Sequence, residues 1–300
     1  SSSYREIGRV RVILVITLIA AGSNAFLNWV LIYGHLGMPR LEVEGAAYAT
    51  IIAKTVEMLL LIGYTIKERP EFISFSVFKR IDWALFGRIL KKGSLLIISQ
   101  MMWVLSESFT AAIYNGRGNA AVVSGMAASF SIANLFFISF DGITTATGVL
   151  IGKSLGKNEL DHARKEKTWM LSAAIIFGCI MCLVGVVTVL LVPVVFGNLS
   201  IDAQNICRAM LLLMAFFMPL WTYVNTQLAV CRAGGDTKVG FLVDGGTTAV
   251  MIPMLLILAF FTNASPVMMY FGVKALDVGK IIVATHEMKK ERWVVNLSNA

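Results

Sequence analysis

Charged residues are scarce in this sequence: they make up 15% of its 300 residues, whereas a soluble domain carries about a quarter. Cysteine is scarce too, and the four cysteines form no disulfide framework. Cys179 and Cys182 have C-x-x-C spacing, but they lie in an apolar stretch with no second pair and no histidine, so we interpret them as packing residues. These shortages argue against a soluble domain and against a disulfide scaffold.

Sequence motifs of intramembrane enzymes are also missing. There is no H-E-x-x-H sequence, and His35, His162 and His286 fall in loops or near the ends of apolar blocks. The nearest match to the G-x-G-D motif of an intramembrane aspartyl protease is 233–236, where Ala233 breaks the pattern. The net charge of +8 forms no continuous basic face, because the basic residues lie between apolar blocks. We therefore predict no enzyme, no cofactor and no nucleic-acid partner.

Long apolar blocks are abundant instead. Hydrophobic residues make up 57% of the chain, and eight blocks reach the roughly 20 residues that cross a bilayer as a helix. None alternates as a barrel strand would, and a helix satisfies its own backbone hydrogen bonds inside lipid. The blocks run over 10–34, 44–66, 93–114, 119–151, 168–196, 205–231, 238–262 and 266–286. The predicted fold is an all-α polytopic membrane protein with about eight transmembrane helices.

Lysine and arginine are distributed unequally between alternate connections. Twenty of the 26 lie on one side, with the two termini included, and only Arg40, Arg117 and Arg208 lie on the other. Cytoplasmic loops carry such an excess, so we predict that the basic side faces the cytoplasm and that the chain is a multi-pass protein of the plasma membrane. Because the chain lacks an initiator methionine and a signal peptide, we expect a fragment without its N-terminal part.

The longest connection, 67–92, separates the second block from the third. It carries an apolar face opposite basic residues, which favours a short helix on the membrane surface over the alternative, a simple continuation into the third span. That face consists of Ile81, Leu85, Phe86, Ile89 and Leu90. We predict three parts: 1–66 as the last two helices of an N-terminal lobe, 67–92 as a cytoplasmic linker, and 93–300 as a six-helix C-terminal lobe with a cytoplasmic tail.

A short pattern occurs twice, at 5–11 and at 232–238. Each copy reads arginine, two residues, glycine, two residues, a basic residue, and then an apolar helix. Both copies lie on the predicted cytoplasmic side, 227 residues apart. Transporters are often built from two related halves. If the first span corresponds to the seventh, we expect four further spans before residue 1 and twelve in the intact protein.

Four stretches carry a longer series of motif residues, in this order: Asn24, Leu27, Asn28, Leu31, Ile32, Gly34, Gly37, Pro39, Gly45, Ala46, Ala47, Ala49 and Thr50; then Gly148 to Gly152, Leu155, Gly156 and Ala163; then Arg232, Gly234, Gly235, Asp236, Thr237 and Asp244; then Lys289, Trp293, Val294, Asn296 and Leu297. The first stretch resembles the fifth and sixth spans of the multidrug and toxic compound extrusion (MATE) family, and the second resembles the end of its eighth span. The third resembles the junction of its tenth and eleventh spans, and the fourth its usual ending.

The resemblance implies twelve helices in two six-helix lobes around a central cleft. Such proteins exchange small-molecule organic cations or other amphipathic substrates against Na⁺ or H⁺, while the lobes alternate between inward-open and outward-open states. We accordingly expect organic cations and membrane lipids as partners, Na⁺ or H⁺ as the coupling ion, and a monomer when the protein is full length.

Three acidic residues within the spans lack a local basic partner: Glu107, Asp141 and Asp244. A carboxylate inside a membrane is costly and usually faces a cavity or a partner. It can hold a proton near neutrality or ligate Na⁺ with hydroxyl and amide oxygens. We predict that Glu107 and Asp244 line the cavity of the C-terminal lobe and alternate between cationic substrate and coupling ion, with Na⁺ at one of them as one form of coupling.

The face of the third span around Glu107 carries further binding groups. Gln100, Trp103 and Tyr114 share or flank that face, and aromatic rings suit lipophilic cations. Many relatives in the family place an acid where Gln100 aligns, whereas this chain has its acid two turns later. Asp141, at a position that is mostly apolar in relatives, is a candidate to replace the missing charge.

Other intramembrane residues are interpreted as structural. Lys54 and Glu57 are three residues apart on one helical face and are predicted to form an ion pair. Lys274, Asp277 and Lys280 have the same spacing and are expected to pair with each other or to extend to the interface, without a function. Glycines at 148, 152 and 156 form a small-residue ridge that predicts close helix packing.

Two rival functions stay open. A lipid-linked oligosaccharide flippase of the same superfamily would need several basic residues in its cavity for a pyrophosphate, and only Lys54 and Lys274 lie deep within spans. A channel is not excluded by the sequence either, although paired halves favour alternating access.

Overall fold

A computed structural model describes Tyr4 and residues 10–68 and 83–295. This part of the chain is helical and contains no strand. In chain order its helices are α1 (Val10–Tyr33), α2 (Glu42–Glu68), α3 (Trp83–Arg117), α4 (Ala120–Gly156), α5 (Leu160–Val195), α6 (Ile201–Ala233), α7 (Lys238–Phe261), α8 (Pro266–Ala275) and α9 (Asp277–Lys289). The predicted all-α fold is confirmed.

Seven of these helices, α1 to α7, are long and apolar enough to cross a membrane, and they match the first seven predicted spans. The eighth predicted span, 266–286, is instead two helices that meet at Leu276. The Leu276 N–H donates to the Val273 carbonyl and the Gly279 N–H to the Leu276 carbonyl. These bonds span three residues rather than four, so the helix tightens locally at this point.

The described chain divides into two compact units, residues 1–82 and 83–300. In the first unit α1 and α2 form a closely packed pair. A Cβ on Gly45 would lie 2.7 Å from the Leu31 carbonyl oxygen, so only glycine permits this approach. The Asn28 amide donates to Asn24 Oδ1 at 3.0 Å within α1. Between the helices, Asn24 Nδ2 donates to Thr50 Oγ1 at 3.5 Å, so Gly45, Leu31, Asn24 and Thr50, which carry the family resemblance, lie at the contact of this helix pair.

In the second unit, α3 runs without interruption from Trp83 to Arg117. Residues 83–92 thus continue the helix of the third span, as in the alternative reading, and do not form a separate surface helix. Residues 69–82, including Ile81 of the expected apolar face, lie outside the described chain. The copy of the repeat at 5–11 lies almost entirely outside it as well, and the division into lobes and linker stays a prediction.

Close packing of α4, α5 and α6 depends on glycines other than the predicted ridge. A Cβ on Gly125 would lie 2.5 Å from the Ala203 carbonyl oxygen, and one on Gly178 would lie 2.5 Å from the Pro219 Cα. By contrast, a Cβ on Gly148, Gly152 or Gly156 would meet no heavy atom of the described chain within 4 Å. The expectation of close packing at that ridge is therefore wrong for the contacts within this structure.

The second copy of the repeat forms the end of α6. Asp236 N–H donates to the Cys231 carbonyl and Gly235 N–H to the Arg232 carbonyl, both at 2.9 Å. With Gly235 at φ 77°, this is a Schellman cap, for which glycine is the preferred residue. Its neighbour Gly234 is needed for a different reason, since a Cβ there would overlap the Trp293 carbonyl.

Arg117 explains why a basic residue occurs on the opposite side from most others. Its Nη1 donates to the carbonyls of Leu258, Ala259 and Thr262 at the end of α7. The last carbonyls of a helix lack backbone N–H partners within it, and their partial negative charge favours a guanidinium. Arg117 therefore joins the end of α3 to the end of α7.

The C-terminal tail is tied to α5 by an exposed ion pair. Arg164 Nη2 lies 2.9 Å from Glu291 Oε2 and Arg164 Nη1 lies 2.8 Å from Asp161 Oδ1. The hydrogen bond from Arg164 lowers the pKa of Glu291 below its ordinary value of 4.5. A depressed folded-state pKa means that the pair stabilises the docked tail above pH 4.5, and that this contribution is lost as pH falls through the lowered pKa.

We therefore expect Glu291→Gln to lower the melting temperature slightly at about pH 7 and to reduce the fall in melting temperature between about pH 7 and about pH 3. The effect is small because both groups are exposed and screened. Thermal unfolding in detergent at several pH values measures it. Glu159→Gln, another exposed carboxylate at the start of α5, is the control; an equal loss of pH dependence there would contradict the assignment.

Candidate functional site

A small cavity lies within the second unit, between α3, α7, α8 and α9. Its volume of about 20 Å³ is enough for one water molecule or a bare ion. Five ionisable side chains line it, together with hydroxyl, aromatic and apolar groups. The lining consists of Trp103, Ser106, Glu107, Asp244, Thr247, Thr248, Met251, Val273, Lys274, Asp277 and Lys280. The cavity thus contains both acids that the sequence analysis favoured.

Glu107 is paired in the structure, contrary to the expectation of a lone acid. Its Oε1 accepts a hydrogen bond from Lys274 Nζ at 2.7 Å. The side chain of Lys274 is 13% exposed and that of Glu107 is 33% exposed. The two residues are 167 positions apart, so no local spacing could reveal the pair.

Asp244 lies across the cavity on α7 and is half-buried. Its Oδ2 accepts a hydrogen bond from the Ser99 hydroxyl at 2.6 Å. Among the described side chains, no basic group lies within ion-pair distance of Asp244. Among the described residues it is therefore the one acid of the cavity without a neutralising partner, as the sequence analysis expected for it.

Asp277 lines the cavity, although the sequence analysis did not predict it as a site residue. Its Oδ2 accepts a hydrogen bond from Trp221 Nε1 at 2.8 Å, and its Oδ1 lies 3.1 Å from Lys280 Nζ. The pairing of Asp277 with Lys280 agrees with the expectation, but Lys274 turns to Glu107 instead. The sequence did contain a signal for this site. Lys274, Asp277 and Lys280 are spaced three apart inside one apolar block, and ionisable residues in such a block usually face a cavity.

The remaining predicted site residues are scattered. Trp103 lines the cavity, although its side chain is half exposed. Tyr114 is buried in the apolar core beside Tyr270, with the ring centroids 6.3 Å apart. Gln100 and Asp141 are exposed and lie outside the cavity lining, so the structure does not place Asp141 where it could replace a missing charge.

The predicted structural pair lies in the first unit. Lys54 Nζ is 2.8 Å from Glu57 Oε2 on α2, with Lys54 largely exposed and Glu57 largely buried. Both residues are on one helix, so the pair is local, as their spacing of three residues predicted.

The charges of the cavity do not balance. Three carboxylates, Glu107, Asp244 and Asp277, face two ammonium groups, Lys274 and Lys280. With all five ionised the site carries one net negative charge, which one proton or one monovalent cation would neutralise. The described residues contain no cluster of three or more His, Cys, Asp or Glu side chains that could hold a metal ion. A Na⁺ ion would thus depend on Asp244 together with hydroxyl oxygens such as that of Ser99.

A helix bundle with membrane-length apolar helices and a charged cavity between them defines a multi-pass membrane protein with an internal polar site. Residues 96–257, more than half of the chain, match the MatE family model. The chain belongs to the MATE family. Members of this family are transporters, not enzymes, and are multi-pass proteins of the plasma membrane.

Curated relatives agree with this assignment, and a solved structure shares the fold. The probable multidrug resistance protein NorM of Mesorhizobium japonicum is 26% identical over 291 residues, which cover 93% of this chain and 61% of the relative. NorM of Rhizobium meliloti is 30% identical over 176 residues, which cover 57% of this chain and 37% of the relative. A crystal structure of a mutant of the Vibrio cholerae MATE transporter VcmN superposes with a TM-score of 0.78 at 17% identity, covering 97% of this chain and 65% of that one. The chain thus spans less than two thirds of the length of these proteins.

Proposed function

We propose that this chain is part of a secondary active transporter that exports organic cations or drugs in exchange for Na⁺ or H⁺, with two lobes that alternate in access. The observation that carries the proposal is the cavity between α3, α7, α8 and α9, where Glu107 and Asp244 lie among aromatic and hydroxyl groups. Carboxylates beside aromatic rings suit lipophilic cations. The names of the curated relatives, multidrug resistance proteins, support the same substrate class.

Asp244 is the proposed site of the coupling ion. It is the one carboxylate of the cavity without a basic partner in the described chain, and the cavity has room for a proton on its oxygens or for a small ion. Protonation or Na⁺ binding there would neutralise the net negative charge of the site. Glu107 takes the second role, because its side chain is 33% exposed and can contact a cationic substrate outside the cavity, whose volume of about 20 Å³ suits only a small ion.

The flippase alternative gains no support from this site. Both lysines at the cavity are bound to carboxylates, Lys274 to Glu107 and Lys280 to Asp277. A pyrophosphate would have to displace two acids to reach them. We propose organic cations rather than lipid-linked pyrophosphates as substrates, with membrane lipids as surroundings and a monomer as the working unit.

Ethidium efflux tests the proposal. The protein expressed from its complete gene is reconstituted in vesicles, and efflux is measured under a Na⁺ gradient and, separately, under a proton gradient. One of the two gradients is expected to drive efflux. Asp244→Asn is expected to lower the driven rate by about tenfold or more, the order of loss for one essential ionisable group, and Glu107→Gln to weaken ethidium transport.

The matched control is Asp202→Asn, an exposed carboxylate in the first turn of α6 outside the cavity, which should leave efflux unchanged. Unchanged ion dependence in Asp244→Asn would remove Asp244 from the mechanism. Absence of efflux under both gradients, in a folded protein, would overturn the antiport proposal itself.

A further inference from the structure

Lys274 occupies a position that would suit a transported cation. Its ammonium contacts the Glu107 carboxylate at 2.7 Å and lies 5.4 Å from the centroid of the Tyr270 ring and 5.7 Å from that of Trp221. A carboxylate and two aromatic rings within about 6 Å are also the groups that recognise an organic cation. The protein therefore holds a cation of its own at the site proposed for the substrate.

The position of Lys274 near the end of a helix also favours a cation at this site. It is the penultimate residue of the short helix α8, two residues before the break at Leu276. The carbonyls at a helix C-terminus carry partial negative charge and favour a cation nearby. In transporters, broken helices at membrane depth commonly place such ends at ion and substrate sites.

We propose that Lys274 is a tethered competitor for the cation site: its ammonium occupies Glu107 when no substrate is bound, and a cationic substrate binds there by displacing it. This inference rests on the proposed function and adds the residue that limits substrate affinity. Displacement keeps the charge of the cavity constant during substrate exchange if the ammonium leaves as the substrate enters. It also favours release, because the tethered ammonium returns to Glu107 at a high effective concentration.

The test is ethidium binding to the detergent-solubilised full-length protein, without any ion gradient, followed by fluorescence anisotropy. Lys274→Met vacates Glu107 and is expected to bind ethidium about tenfold more tightly than the wild type. Lys274→Arg keeps a cation beside Glu107 and should stay within about threefold of the wild type. Lys274→Gln retains a hydrogen-bond donor for the carboxylate, and it replaces the methionine variant if that variant does not fold.

Two controls separate local displacement from a general change in charge. Lys280→Met removes the same charge from the cavity but leaves the Lys274–Glu107 pair intact, so it should tighten binding much less than Lys274→Met. In a Glu107→Gln background, Lys274→Met should give no gain, because the vacated carboxylate is no longer there.

The outcomes distinguish the inference from the proposed function. Unchanged or weaker binding in both Lys274→Met and Lys274→Gln, or an equal gain in Lys280→Met, would overturn the inference even if the wild type exports ethidium. A complete lack of binding in every variant would overturn it too. A tenfold gain specific to Lys274 would support it even if neither gradient drives efflux, in which case only the transport proposal fails.

Discussion

Trp293→Ala is expected to destabilise the second unit by about 3–5 kcal/mol, the usual cost of truncating a buried tryptophan. Trp293 is 1% exposed although it lies in the tail beyond α9. Its indole packs into a cluster that includes residues of α4, α5, α6, α7 and α9, and its Nε1 donates to the Met288 carbonyl at 3.3 Å. One tail residue thus joins the ends of five helices.

The melting temperature should fall by about 10 °C, measured in detergent with a thiol-reactive fluorophore. Cys231 belongs to the same cluster and is 1% exposed. In a background with serine at the other three cysteines, Cys179, Cys182 and Cys207, its labelling reports on the opening of this region. Trp169→Ala is the control, because Trp169 lies on α5 and is 62% exposed. Equal shifts for the two variants would show that Trp293 contributes no more than a surface tryptophan.

Gly178→Ala is expected to destabilise the protein by about 1–3 kcal/mol, the usual cost of overpacking. The new methyl group would lie 2.5 Å from the Pro219 Cα, which is backbone and can yield only if α5 and α6 separate. Alanine is favoured over glycine within a helix by about 1 kcal/mol, so the clash must exceed this gain for stability to fall.

Gly148→Ala on α4 is the matched comparison, and it is expected to change the stability in the opposite direction. A Cβ at that position meets open space in the structure, so only the gain in helix propensity remains and the melting temperature should stay equal or rise. A loss at Gly148 as large as that at Gly178 would mean that the ridge of glycines 148, 152 and 156 packs against a surface which the described chain does not show.

The local features of the fold could be predicted from the sequence. The length of each apolar block sets whether a helix can cross the bilayer, and the first seven blocks have become single helices. The ion pair of Lys54 with Glu57 followed from a spacing of three residues on one helix. The eighth block was harder, because its composition is apolar throughout while its break depends on the hydrogen bonding of Leu276 and Gly279.

The site could be predicted only in part. Glu107 and Asp244 were identified because an acid inside an apolar helix needs a cavity or a partner, and both line the cavity. Whether each has a partner could not be predicted, since Lys274 comes from a helix far along the chain. Asp141 followed from the same reasoning as Glu107, yet it is exposed and lies outside the cavity lining, because its helix α4 contributes no residue to that cavity.

The sequence by itself determined that this protein is a bundle of membrane-length helices, because hydrophobic length is a local property that each segment carries independently. Only the tertiary structure decided which charges neutralise one another: it set Lys274 against Glu107 and left Asp244 with a hydroxyl group. Inside a low-dielectric bundle these pairings depend on side chains from different helices meeting within about 3 Å, and no pattern along a single helix specifies that distance.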